Sequence, residues 1–158
     1  MKTPFATCVV AWVVFVALSL GAATSSATVS LVAIISENSR LTDIDSNDLR
    51  RVFLGYAQID PDGRTLIPLN HPPGAAARAR FDRALLGFDP DNAAKYWVDQ
   101  RIRGAKMPPR TASPEHLLQR VVAKLPGAIS YVPAGSLIPG VRALTIDGRS
   151  VGQPGYPL

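Results

Sequence analysis

The sequence predicts an α/β fold, a three-layer sandwich on one mixed sheet of about four or five strands with about four helices. Three observations carry this expectation. The β-branched apolar run from Val29 to Ile35 reads as a buried central strand. Helical segments stopped by glycine then alternate with short extended runs. No repeat with a period of about 20 to 50 residues is visible, and no internal linker divides the chain, so one domain is expected.

Each element has its own signal. Ser36-Glu37-Asn38-Ser39 breaks the first strand. Ser46 is the expected N-cap of the first helix, with Asp48 near its positive end. Leu49, Val52 and Phe53 share one face of that helix, and Gly55 fits the left-handed residue that ends it. The turn Asp60-Pro61-Asp62-Gly63 leads into a second strand, Thr65 to Leu69, which His71-Pro72-Pro73-Gly74 interrupts. A second helix is expected from about Ala75 to Leu86. Phe81, Ala84, Leu85 and Phe88 form its buried stripe, Arg78, Asp82 and Arg83 lie elsewhere on it, and Gly87 ends it.

Asp89-Pro90 opens a third helix with an N-cap and a first-turn proline. It runs to about Arg103, with Ala94, Trp97, Val98 and Arg101 on one side. Gly104 to Pro109 is a loop, and Ser113-Pro114 opens a fourth helix whose apolar face is Leu117, Leu118, Val121, Val122 and Leu125. Ala128 to Val132 is a third strand and Val141 to Ile146 a fourth. The tail beyond Asp147-Gly148 carries two further prolines, so little regular structure is expected there.

Residues 1–27 stand apart from the fold. Lys2 is followed by an almost unbroken apolar run from Phe5 to Leu20 and by the small residues Gly21 to Ala27. That is the layout of a secretory signal peptide cleaved after Ala27, the alternative being an uncleaved membrane anchor. The expected organisation is therefore signal peptide 1–27, domain 28–150 and tail 151–158, with a periplasmic or secreted location. Cys8 is the one cysteine, so the mature chain has no thiol for a disulfide or a zinc site.

The charge balance narrows the partners. Without Lys2 there are 16 basic against 12 acidic side chains. The basic residues fall singly or in the small groups Arg50-Arg51, Arg78-Arg80-Arg83 and Arg101-Arg103. With no long basic run and few interleaved aromatics, a nucleic-acid partner is not expected. Enzymatic constellations are also missing: His71 and His116 have no metal-ligand spacing, and there is no G-x-S-x-G elbow. Asp60 and Asp62 read as turn residues. No enzyme, metal or cofactor is expected.

One arrangement does suit a ligand. A strand (Ile67, Leu69), a loop (Asn70 to Pro73) and a helix start at Gly74-Ala75-Ala76 make an anion cradle, because free backbone N–H groups and the helix dipole converge there. The other reading of the same residues is a helix start and nothing more.

Two longer signatures place these residues in a wider context. The first is Leu49-Arg50-Arg51-Val52-Phe53-Leu54-Gly55 with the turn at 60–63 and the strand after it; the second is Pro126-Gly127-Ala128-Ile129-Ser130-Tyr131-Val132. Together they resemble the phosphate-type family of periplasmic solute-binding proteins, over nearly all of the chain after residue 30. The resemblance implies a type 2 periplasmic-binding-protein fold and, at about 131 residues, a single lobe of it. It also implies a small oxyanion ligand, most naturally phosphate, and association with ABC-type uptake or sensing through a membrane transporter or another envelope protein.

In that family a Ser-Gly-Thr motif donates amides and hydroxyls to the ligand. Carried over, it falls on Gly74, Ala75 and Ala76, with Arg78 one turn into the helix. The hydroxyl-bearing positions are glycine or alanine here, so only backbone donors are kept. Ser130 stands where the family has glycine. It either supplies a hydroxyl the alanines lack or is a small residue packed beside a helix. Trp97 and Tyr131 are expected core aromatics, and Gly104 to Pro109 resembles an architectural loop of the family. The rival reading is a lobe that has lost its ligand and serves as a protein–protein interaction module.

Overall fold

The computed structural model describes residues 30–158. The signal-peptide expectation for 1–27 and the start of the predicted first strand at Val29 lie outside the described residues. Strand β1 (Leu31–Ser36) is buried along its whole length. It lies second from the edge of a five-stranded mixed sheet with β3 (Ile67–Asn70), β4 (Arg110–Thr111), β5 (Ala128–Pro133) and β6 (Val141–Ala143), in the order β4-β3-β5-β1-β6. β1 pairs antiparallel with β5 and β6, while β3 runs parallel to β5 and β4. The short strands β2 (Asp43–Ile44) and β7 (Thr145–Ile146) form a separate parallel pair. The mixed sheet is the one expected.

Helices cover both faces, which makes the three layers. On one face α1 (Ser46–Phe53) and α2 (Ala76–Phe81) pack over Ala33, Ile35, Ile129 and Tyr131. On the other, α4 (Glu115–Lys124) lays Leu118 and Val122 on Val32, Ile34 and Val132. Alternation along β1 and β5 divides their side chains between the two cores. The long helix α3 (Pro90–Ile102) follows α2 and is tied to the end of α1 by the Tyr96 hydroxyl, which donates to Leu54 O at 3.1 Å. Among the described residues no helix is long and apolar enough to cross a membrane.

Several local expectations shift by one residue or one turn. Asp45, not Ser46, caps α1: its carboxylate accepts the Asn47 N–H at 2.8 Å. The second helix begins at Ala76 and, after Phe81, loosens into a π-helical turn, Asp82–Leu86, which Gly87 closes at φ +72°. The π turn rotates the chain, so Leu85 and Leu86 are buried, Ala84 is exposed and Asp82 goes inside. On α3 the buried residues are Ala93 and Trp97, while Ala94 and Val98 face solvent.

The apolar face of α4 is also narrower than its sequence pattern. Leu117 and Leu125 lie outside it and Gln119 is inside, where its side chain bridges Ser136 O and Ile138 N. Pro114, not Ser113, holds the N-cap position of α4. The expected fourth strand splits at Leu144, whose N–H still donates to Ala33 O at 2.8 Å. The chain then leaves the main sheet to pair with β2. The tail has turns but no helix or strand, and Tyr156 and Leu158 pack back on the α1/α2 core.

Candidate functional site

The loop between β3 and α2 is held from inside the molecule. Asn70 Oδ1 accepts the Tyr131 hydroxyl in a short hydrogen bond and the His71 N–H at 2.9 Å. His71 Nε2 lies 2.8 Å from Tyr131 O; since a carbonyl can only accept, that nitrogen carries the proton. Phe81 stacks on Tyr131 with ring centroids 3.7 Å apart and planes 4° from parallel. Burial pushes the Tyr131 phenol far above its ordinary value, so it is a neutral donor at physiological pH. These contacts fix where the chain leaves β3 and where α2 begins.

Beyond this anchor the backbone opens. Gly74 has φ +86°, the left-handed region that suits glycine, and a side chain there would meet nothing within 4 Å. Ala75 occupies the N-cap position of α2 without a capping side chain. The N–H groups of Ala76, Ala77 and Arg78, the first three of the helix, therefore have no partner from a cap. Arg78 is largely buried; its guanidinium donates to His71 O at 3.2 Å and pairs with Asp82 at 3.5 Å.

Gly74 and Arg78 open on a cleft of about 560 Å³. Asp82 of the π turn and Arg110 and Thr111 of β4 complete its polar part. Ala79 of α2 and Ala93, Ala94 and Trp97 of α3 supply an apolar wall. Pro73, Pro90, Pro108 and Pro109 close the remaining sides. Asp82 is only 4% exposed, and burial raises its carboxyl above the usual carboxylate range, with the Arg78 charge opposing the shift. Arg110 is exposed and makes no ion pair among the described residues.

Of the residues expected at the cradle, Gly74 and Arg78 line the cleft, whereas Ala75 and Ala76 lie at the same loop–helix junction but not on its lining. Ser130 is placed elsewhere. It is fully buried, on the side of β5 that alternation turns toward α4, and its hydroxyl donates to Leu69 O at 2.8 Å. Four cleft residues were not foreseen in this role: Asp82, Trp97, Arg110 and Thr111. Asp82 had one available signal, its i,i+4 spacing from Arg78. Arg110 and Thr111 had none, because their position depends on β4 pairing with β3 in space. Among the described residues no group of three or more His, Cys, Asp or Glu side chains is placed to hold a metal ion.

No protein-family model and no curated protein matches this chain. Solved structures do resemble it. An ABC-type phosphate transport receptor from Vibrio cholerae superposes with a TM-score of 0.61 at 11% identity, over 76% of this chain and 47% of the receptor. A Clostridium perfringens protein named as a phosphate ABC transporter substrate-binding protein, with bound phosphate, gives 0.61 at 14% identity, over 76% and 46%. PstS from Borrelia burgdorferi gives 0.59 at 16% identity, over 77% and 48%. The chain spans about half the length of each of these proteins. At these identities the likeness is one of fold: the chain has a single-lobe, periplasmic-binding-protein-like fold.

Proposed function

We propose that this protein binds a small oxyanion, with phosphate the first candidate, at the junction of β3 and α2 in the bacterial envelope, in association with ABC-type uptake or sensing. The observation that carries the reading is the open backbone at Gly74 leading to an uncapped helix start, with Arg78 and Arg110 on the same cleft. The donors are backbone N–H groups and guanidinium groups, which suit an anion and require no side-chain hydroxyl from residues 74 to 76. The fold neighbours, two of them named for phosphate transport and one carrying bound phosphate, support the same ligand class. Ser130 enters this reading only through its support of β3.

Affinity follows from the open face. Micromolar binding requires about −8 kcal/mol. Each hydrogen bond to a charged group nets roughly 1.5–3 kcal/mol, and a helix terminus adds about 0.3–1 kcal/mol. Two or three such contacts, less the cost of immobilising the ligand, place a lone lobe near millimolar binding. The test is a calorimetric titration of the purified protein with phosphate, with sulfate and chloride as controls. Gly74→Asp keeps a residue tolerant of positive φ and puts a negative charge in the cradle; it is expected to abolish the heat of binding. Undiminished binding by that variant would remove the cradle from the site.

A second reading, a lobe that docks on another envelope protein, has one observation in its favour. Val98 and Ile102 lie one turn apart on α3, 55% and 81% exposed, and nothing in the described chain covers them. Absence of phosphate binding up to the millimolar range would favour it.

A further inference from the structure

We propose that the cleft takes an organic oxyanion, an anionic head carried on an apolar or aromatic body, rather than a bare inorganic ion. This rests on the oxyanion reading above and narrows it to a ligand class. Size is the first reason. A tetrahedral oxyanion occupies roughly the space of two or three waters, about 60–90 Å³. The cleft measures about 560 Å³. An inorganic ion bound at Arg78 would leave most of it to water.

The lining is the second reason. The two sides of the cleft differ in chemistry by element. α2, the π turn and β4 contribute Arg78, Asp82, Arg110 and Thr111, whereas α3 contributes Pro90, Ala93, Ala94 and Trp97. None of these α3 side chains carries a charge, and the proline and alanines offer no hydrogen bond. Water there has few partners, so displacing it with an apolar group is favourable. Trp97, 8% exposed, is also the largest side chain lining the cleft and adds to the apolar area of that wall. Ligand sites of this volume are commonly apolar with a few convergent polar groups, which is the composition found here.

Asp82 is the third. The residue is 4% exposed, lines the cleft and has Arg78 as its one ion-pair partner among the described residues, at 3.5 Å. Its negative charge offsets that of the Arg78 guanidinium and opposes a compact, multiply charged ion. A head of lower charge density, or one with an N–H or O–H donor for Asp82, fits the pair better.

The probes are inorganic phosphate, phenyl phosphate and phenol, titrated by calorimetry into the full chain carrying Trp12→Phe. In that background Trp97 is the one tryptophan, and its emission reports occupancy of the apolar wall. Phenyl phosphate is expected to bind at least about tenfold more tightly than inorganic phosphate and to change Trp97 emission. Ala94→Phe, at an exposed position, narrows the cleft without touching the core. It is expected to bring the two affinities to near equality, with an unchanged circular dichroism spectrum. Equal affinity for phosphate and phenyl phosphate in the unaltered cleft overturns the proposal and leaves the oxyanion reading standing. Phenol binding as tightly as phenyl phosphate, or no binding of either phosphate, overturns both.

Discussion

Asn70 shows how much of the site depends on one side-chain oxygen. Its Oδ1 takes two donors, the Tyr131 hydroxyl and the His71 N–H, all three residues being buried. Asn70→Ala leaves both donors without an acceptor and is expected to cost roughly 2–4 kcal/mol. Tyr131→Phe removes one donor together with its demand and is expected to cost about 1 kcal/mol. Urea denaturation of the two variants tests that order. Asp82 gives a pH signature. Its folded carboxyl is raised above the unfolded value by burial, so below the ordinary carboxylate pKa the group is protonated in both states and its own contribution to stability is largest. As pH rises through the shifted value the folded state must bury a charge that the unfolded chain leaves in water, and stability falls. Asp82→Asn is expected to flatten that acid-side decline, measured as Tm against pH. A decline of unchanged slope would place its origin in another group.

At the scale of elements, the contrast between Leu117 and Leu118 is the most instructive. Both belong to an apolar pattern of period 3.6, yet Leu118 is fully buried and Leu117 is 44% exposed. Leu118→Ala is expected to cost about 2–5 kcal/mol. Leu117→Ala should stay within about 1 kcal/mol, and thermal unfolding of the pair decides it. The pattern over-called the face because α4 meets the sheet along a single stripe, and Gln119 takes an inside position by satisfying both ends of its amide. The π turn after α2 is a similar case. Phe81 stays on Tyr131 while the widened turn swings Asp82 inward and Ala84 outward, an exchange that a regular helical period does not contain.

Across the whole molecule, the sheet is enclosed by helices on both faces, and one gap in its hydrogen bonding is closed by the tail. β6 ends at Ala143, and the Ala33 N–H beyond it donates to the Tyr156 hydroxyl at 3.3 Å. Tyr156 also packs on the α1/α2 core, and burial raises its phenol pKa. Tyr156→Phe is expected to cost about 1–3 kcal/mol by stranding that N–H. Hydrogen exchange at Ala33 should speed up in the same variant; an unchanged rate would mean that the tail does not protect the strand. The open cleft belongs to this scale too, since its walls come from three separate parts of the chain: the β3–α2 unit, α3 and β4.

What the sequence determined by itself is the local chemistry. The β-branched run of β1, the glycine stops at 55 and 87, the Asp89-Pro90 helix start and the strand–loop–helix junction at residues 67–81 are all set by neighbours in the chain, through φ preferences, capping and periodicity. The two signature motifs also made the single-lobe fold legible. Only the tertiary structure decided which side of each helix is covered and which distant residues share a cleft. Ser130 reads as a candidate donor until β3 lies beside it and takes its hydroxyl at Leu69 O. Arg110 and Thr111 join Arg78 and Asp82 only because β4 pairs with β3. The reason is physical: caps and turns are satisfied within a few residues, whereas burial and cleft formation are properties of surfaces that meet after the chain has folded.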